Sequence, residues 1–355
     1  MSISDASGRR RAVALVAVGL AVAAGVTGLA TRAVAEPVLP PLSAEELLTK
    51  VATAEIDGLT ATFEQRSDLG LPALPSGSGA SGDELATAVA LLTGDHTVRV
   101  WLDGPERARA ALVDGSTETA VIRNGADVWT WSSAEQTARH TELADRAAPT
   151  PSPSAVSPTE AIQKLLEAVG PTTELATSGA GYVAGRPVYQ LLLTPKDDAS
   201  LVRQVRVSVD AVEFVPLGLR VVADDGTDAI TVAATSVDFG RPDAAVFTFT
   251  PPPGAEVVEE PAPTRGERPS DPGRSAAPTV VGTGWTAVAV TGMDADRPDD
   301  EVTAALLESL PEVSGPWGRG RLLSTVLVTA VITDDGRVAV GSVEPERLYA
   351  ALAAR

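Results

Sequence analysis

The sequence predicts an α+β fold that is mainly antiparallel β, followed by a small α+β module. Three observations carry this. Runs with period-two alternation fill the middle of the chain. Asn124-Gly125 and Asp225-Gly226 sit between such runs, which is a strong short-range hairpin signal. A charged, Pro-rich stretch at 259–279 then separates this body from a tail of different pattern.

In chain order, residues 1–35 come first. They hold an Arg cluster (Arg9–Arg11), an apolar run from Ala12 to Ala30 and an Ala-x-Ala at Ala33–Ala35. This is signal-peptide grammar, with cleavage expected after Ala35; the alternative is an uncleaved anchor. Both place the rest of the chain outside the cytoplasm. Domain one spans 36–258. It opens with a helix in "PPLSAEELLTKVATA", where Ser43 and Glu46 form a capping box and Leu42 staples onto Leu47. A second helix is expected after Ser157, with Pro158 at its first position and Ile162, Leu165, Leu166 and Val169 on one face. "HTVRVWL" pairs with "ARAALV", and "TETAVIR" with "DVWTW". "PVYQLLLTP", "LVRQVRVSV", "LGLRVVA", "DAITVAATSVDF" and "AVFTFTP" follow as strands. The meander is expected to hold about eight to eleven strands. Within the 280–355 module, "GTGWTAVAVTG" reads as a strand and "DDEVTAALLESL" as a helix. A hairpin turning at Asp335-Gly336 and a closing helix in "PERLYAALAA" complete it.

Formal net charge is −19, and the acid excess lies wholly beyond the basic leader. Such a surface repels nucleic acid, so no nucleic-acid partner is expected. There is no Cys, hence no disulfide, thiolate metal site or Cys nucleophile. His96 and His140 are the only imidazoles; neither has metal spacing, and both read as surface polar residues. Gly77–Gly82 matches G-x-G-x-x-G but follows a Pro-containing loop instead of a strand, so it reads as a flexible loop before a short lid helix. The acidic patch at 294–301 lacks calcium-loop spacing. No nucleophile, base, metal or cofactor site emerges, so the chain is read as a non-enzymatic binding protein. A curved sheet covered by helices encloses a cavity, which points to an apolar ligand.

The succession "LTATFEQRSD", "VRVWLDGPERARAALVDG", "AVIRNGADVWTWSS", "VAGRPVYQLLLTP", "VRVSVDAVEFVPLGLRVVADDG" and "FTFTPPPGAEVVE" resembles the LolA-like superfamily over about residues 43–259. That group includes periplasmic lipoprotein carriers, RseB/MucB regulators of envelope stress and LppX-type lipid-binding proteins of actinobacteria. The resemblance implies a half-open curved antiparallel barrel with a helix lid over a hydrophobic cavity. It also implies a lipid, an acyl chain or a lipoprotein as partner. A regulatory alternative is an envelope-stress sensor that contacts an anti-sigma factor or another membrane regulatory protein. This chain lacks the lipobox Cys of LppX-type proteins and adds a linked module, as RseB-like regulators do.

The candidate cavity residues are Phe63, Trp101, Trp129, Trp131, Tyr189, Leu191, Leu193, Phe247 and Phe249. A two-residue turn at Asn124-Gly125 would place Trp129 opposite Ala120 and put Trp129, Trp131, Ile122 and Ala120 on one face. Both indoles are expected to line the concave side of the sheet.

Overall fold

The protein is described here by a computed structural model covering residues 37–70, 94–143, 170–261, 278–292 and 309–354. The leader, the Gly77–Gly82 loop with its lid helix, the helix after Ser157 and the 294–301 patch lie outside the described residues. So do most of the 259–279 linker and most of the helix expected before Pro311.

Helix α1 spans Ala44–Thr53 and starts as its sequence dictates. The Ser43 hydroxyl accepts from the Glu46 N–H at 3.2 Å, and Glu46 accepts from the Ser43 N–H at 2.8 Å. Eleven strands then build most of one sheet: β1 (Gly58–Ser67), β2 (Thr97–Asp103), β3 (Arg107–Asp114), β4 (Thr117–Asn124), β5 (Asp127–Ser132), β6 (Thr137–Glu142), β7 (Thr173–Val183), β8 (Arg186–Pro195), β9 (Val202–Asp210), β10 (Pro216–Ala223) and β11 (Asp228–Asp238). A twelfth, β12 (Glu256–Glu260), joins them. The order is β12-β6-β5-β4-β3-β2-β1-β11-β10-β9-β8-β7. Two antiparallel meanders therefore meet where β1 pairs with β11, and β12 adds in parallel beside β6. The sheet is open, with β12 and β7 as its edges.

The β4–β5 turn differs from expectation by one residue. Its central pair is Gly125-Ala126, with Asn124 opposite Asp127. Gly125 alone has positive φ (65°), the pattern of a type II′ turn with Gly first. Trp129 consequently faces Ile122, and Ala120 faces Trp131. Partners move by two residues, so the shared face is kept.

"AVFTFTP" is not a strand. Asp243 caps a 3-10 turn over Ala244–Phe247, accepting from the Ala245 N–H at 2.9 Å, and the chain then runs as an irregular strap. Prolines at 242 and 251–253 bracket it and withhold ladder donors.

The tail forms a separate sheet of β13 (Thr279–Val281), β14 (Val288–Gly292), β15 (Glu312–Gly315), β16 (Gly318–Ser324), β17 (Thr329–Thr333) and β18 (Arg337–Gly341), in the order β13-β14-β18-β17-β16-β15. Helix α2 (Pro345–Ala353) buries Leu348, Ala351 and Leu352 against Val288, Val290, Val331 and Ala339. The "GTGWTAVAVTG" segment splits, with a 3-10 turn over Gly284–Thr286 preceding β14.

The module is docked on the body. The Leu201 N–H donates to Ser342 O (2.8 Å) and the Val326 N–H to Leu69 O (3.1 Å). Trp285 Nε1 donates to Thr173 Oγ1 at 2.8 Å. Leu327, Val326 and Trp285 share an apolar cluster with Val202, Ala223, Ala229, Val221 and Ile230 of the body.

Candidate functional site

Residues paired across neighbouring strands share a sheet face, so the registers assign every candidate that lies on a strand to one side. One row runs Trp129, Ile122, Arg109, Trp101, Thr60 across β5 to β1. The adjacent row runs Trp131, Ala120, Ala111, Arg99. This is the aromatic face, and the small Ala side chains leave room for the two indoles to lie flat.

The strap covers it. Phe249 sits 5.4 Å from Trp129 and 6.0 Å from Trp131, centroid to centroid, both tilted. Phe247 is fully buried beneath the Arg107 guanidinium, 5.9 Å from its ring. Arg109 lies over Trp101 at 5.5 Å and donates to Val246 O of the strap and to Glu118, each at 3.2 Å.

At the end of this face stands His140 on β6, opposite Trp129 and stacked on it at 4.3 Å. Its Nδ1 lies 2.8 Å from Glu259 of β12 and its Nε2 lies 3.1 Å from Asp127 of β5. The hydrogen bond to Glu259 is the main reason its proton is held above the ordinary histidine range. Burial opposes that and Asp127 adds to it. The sequence reading as a plain surface histidine missed this arrangement. Glu259 lies 119 residues away, and β6 ("TARHTE") carries too little alternation to announce a strand.

Tyr189, Leu191 and Leu193 lie on the opposite face. Leu191 pairs with Val207, which pairs with Leu219, which pairs with Val232; Leu193 leads likewise through Val205 and Val221 to Ile230. Phe63 belongs to this side too, opposite Ala234 and Val98. Strand alternation separates it from Thr60 and Thr62, which share Trp101's side, and the β-bulge in this pairing falls on β11 at Thr235. The nine candidates therefore do not form one wall. The two Trp side chains do share a face, but that face meets the strap, while α1 lies on the other side.

This second, aliphatic face is a trough. On one flank α1 buries Leu47 completely against Tyr189, Leu191 and Val209. Phe214 closes the rim, stacked on Tyr189 (6.4 Å) and under Lys50 (4.5 Å), with a left-handed φ of 55°. Its turn is pinned by Asp210, whose carboxylate is fully buried and accepts from Arg186 and from the N–H groups of Val212 and Glu213. Burial pushes that carboxyl up, but Arg186 and the two N–H groups outweigh it and hold it below the usual range. At the other end stand Leu327 and Trp285 of the module. Leu193 and Val207 pack toward α1, Val205, Val221 and Ile230 toward the module, and these with Leu219 are only half-buried.

A half-open pocket of about 150 Å³ lies where module meets body, lined in part by Thr172, Lys196, Asp197 and Trp285. Asp197 accepts from the Ala199 N–H, the chief reason its carboxyl is held low, and from Thr286. Lys196 donates to Gly170 O at 2.6 Å. These groups serve the joint. Among the described residues no cluster of three His, Cys, Asp or Glu could hold a metal, and no helix is long and apolar enough to cross a membrane.

The architecture is a mostly antiparallel α+β fold built on a large curved sheet that does not close into a barrel. Solved structures similar to it include the MucA/MucB complex of Pseudomonas aeruginosa, at 16% identity over 87% of this chain and 96% of that one, TM-score 0.46. MucB alone matches at 17% identity over 86% and 95%, TM-score 0.41. A LolA superfamily protein from Nitrosomonas europaea matches at 12% identity over 59% and 99%, TM-score 0.23. No protein-family model matches the sequence, and no curated protein does.

Proposed function

We propose that this chain is an exported, non-enzymatic binding protein that takes up a lipid, an acyl chain or the acylated end of a lipoprotein on its aliphatic face. The observation that supports this is the half-buried row of Leu193, Val205, Val207, Leu219, Val221 and Ile230 between α1 and the module. Completing the burial of that floor offers about 25 cal/mol per Å² of apolar area, and each methylene of an acyl chain contributes about 0.8 kcal/mol. Tyr189, Leu191, Leu193 and Phe63 remain ligand candidates on this reading. Trp101, Trp129, Trp131, Phe247 and Phe249 are assigned to strap packing instead. Export rests on the leader's signal-peptide pattern.

One contact favours a regulatory variant of the same reading. Leu327 and Val326 share a cluster with Val205 and Val221 of the trough floor, so an occupant there would also press on the module. A membrane regulatory protein held by the module would then sense occupancy.

The test is native mass spectrometry of the exported protein with lipid extraction, together with titration of a fluorescent fatty acid. Bound lipid, or saturable uptake, is expected. Leu193→Glu should weaken uptake by about tenfold or more, because a charge in the trough is costly to desolvate. Trp129→Phe should leave uptake unchanged. A wild-type protein with neither bound lipid nor uptake overturns the proposal.

A further inference from the structure

We infer that His140 is a pH-operated latch for the last strand of the large sheet: as imidazolium it ties β12 to β5 and β6, and as neutral imidazole it releases that tie.

The geometry requires the charged form. Both ring nitrogens face a carboxylate oxygen, Nδ1 toward Glu259 at 2.8 Å and Nε2 toward Asp127 at 3.1 Å. A neutral imidazole has one N–H, so one of the two carboxylates would then confront a lone pair. Only the imidazolium donates to both, and each bond is charge-assisted. The carboxylates come from two elements on either side of β6, and the ring is their only bridge in these contacts. Glu142, two residues along β6 on the same face, is a further acidic group nearby. Arg139 and Glu260 pair at 3.1 Å on the other side of the same two strands. Trp129, against the ring face, is uncharged.

β12 is poorly held otherwise. It is a five-residue strand in parallel register at the sheet edge. Of its residues only Val258 is half-buried; Val257 is 48% exposed and the Glu259 side chain 71%. Apolar burial therefore contributes little, and beyond the five-residue ladder to β6 the side chains of β12 are attached through the ion pairs to His140 and Arg139. β12 also ends the strap that covers Trp129 and Trp131, so its release loosens the cover of the aromatic face.

The sign follows from the raised proton affinity of His140. The latch is fully closed below the ordinary histidine value of about 6.5 and is lost as pH rises through the higher folded value. Mild acid fastens β12, and alkaline conditions free it.

The experiment is an NMR titration of the two histidine rings in the full chain, with His140 assigned by its loss in His140→Gln. It is paired with amide exchange of Val257–Glu260 at about pH 5.5 and about pH 8.5, corrected for intrinsic rates. The His140 midpoint should lie above that of free histidine. Protection of the β12 amides should fall about tenfold between the two conditions, as the loss of one charge-assisted hydrogen bond implies. Glu259→Gln should lower the midpoint and flatten the exchange difference, and His140→Gln should abolish it. A His140 midpoint at the free value, or β12 protection that does not change with pH in the wild type, overturns the latch.

Discussion

The two faces of the large sheet are built from the same alternation and differ in what covers them. Across β2–β6 the aromatic side chains point to the side closed by the strap, where Phe247 and Phe249 come from the same chain segment. Across β7–β11 they are mostly aliphatic and point to the other side, where α1 and the C-terminal module cover the ends and leave the centre half-buried. The change occurs around β1, whose pairing with β11 carries a β-bulge on the β11 side. A sheet with aromatic residues gathered on one face and aliphatic residues on the other needs two covers. Here one is fixed by interlocking rings, and the other leaves apolar surface in reserve.

The sharpest way to break this comparison is to remove one anchor from each cover. Phe247→Ala, at a site 1% exposed, should cost about 3–5 kcal/mol, and Leu47→Ala, at 0%, about 2–5 kcal/mol, both read by denaturant unfolding. Acrylamide quenching of the indoles should rise only in Phe247→Ala, because three of the chain's five Trp lie under the strap. Equal quenching in both variants would mean that the faces are not covered separately.

Next in size is Asp210→Asn. It leaves Arg186 without its carboxylate partner and should cost about 3 kcal/mol, the lower range for breaking a buried pair. The wild-type carboxyl is held low, so its contribution is present above the ordinary Asp range and is lost as pH falls through the folded value. Unfolding midpoints measured near neutrality and in acid should therefore converge between wild type and variant. A constant gap would assign the loss to packing alone. The smallest effect is expected from Ser43→Ala, which removes one half of the α1 capping box at a cost of about 1 kcal/mol. A cost near zero would show that packing of Leu47 alone fixes the helix start.

Local rules were legible in the sequence where they act alone. Ser43 and Glu46 announced their cap, and the shared face of Trp129 and Trp131 followed from strand parity, which survives a two-residue change of partner. Which side of the sheet each strand buries was not legible, because parity says which residues agree and never what lies above them. β6, β7 and β12 were missed for a related reason. Two are the sheet edges and the third neighbours an edge, so their side chains need little apolar alternation. "AVFTFTP" misled in the opposite sense: its rings alternate with Thr as a strand's would, yet they serve as plugs from an unpaired strap.

The docking of the module has a consequence for the covalent chain. Leu201 and Ser342 are joined backbone to backbone, Leu69 receives the Val326 N–H, and Leu327 and Trp285 are seated among body residues. The peptide between 262 and 277 is thus not what keeps the two parts together. The protein is in effect a natural two-piece assembly on one string: cut there, the halves should stay associated, and expressed as separate fragments they should find each other again.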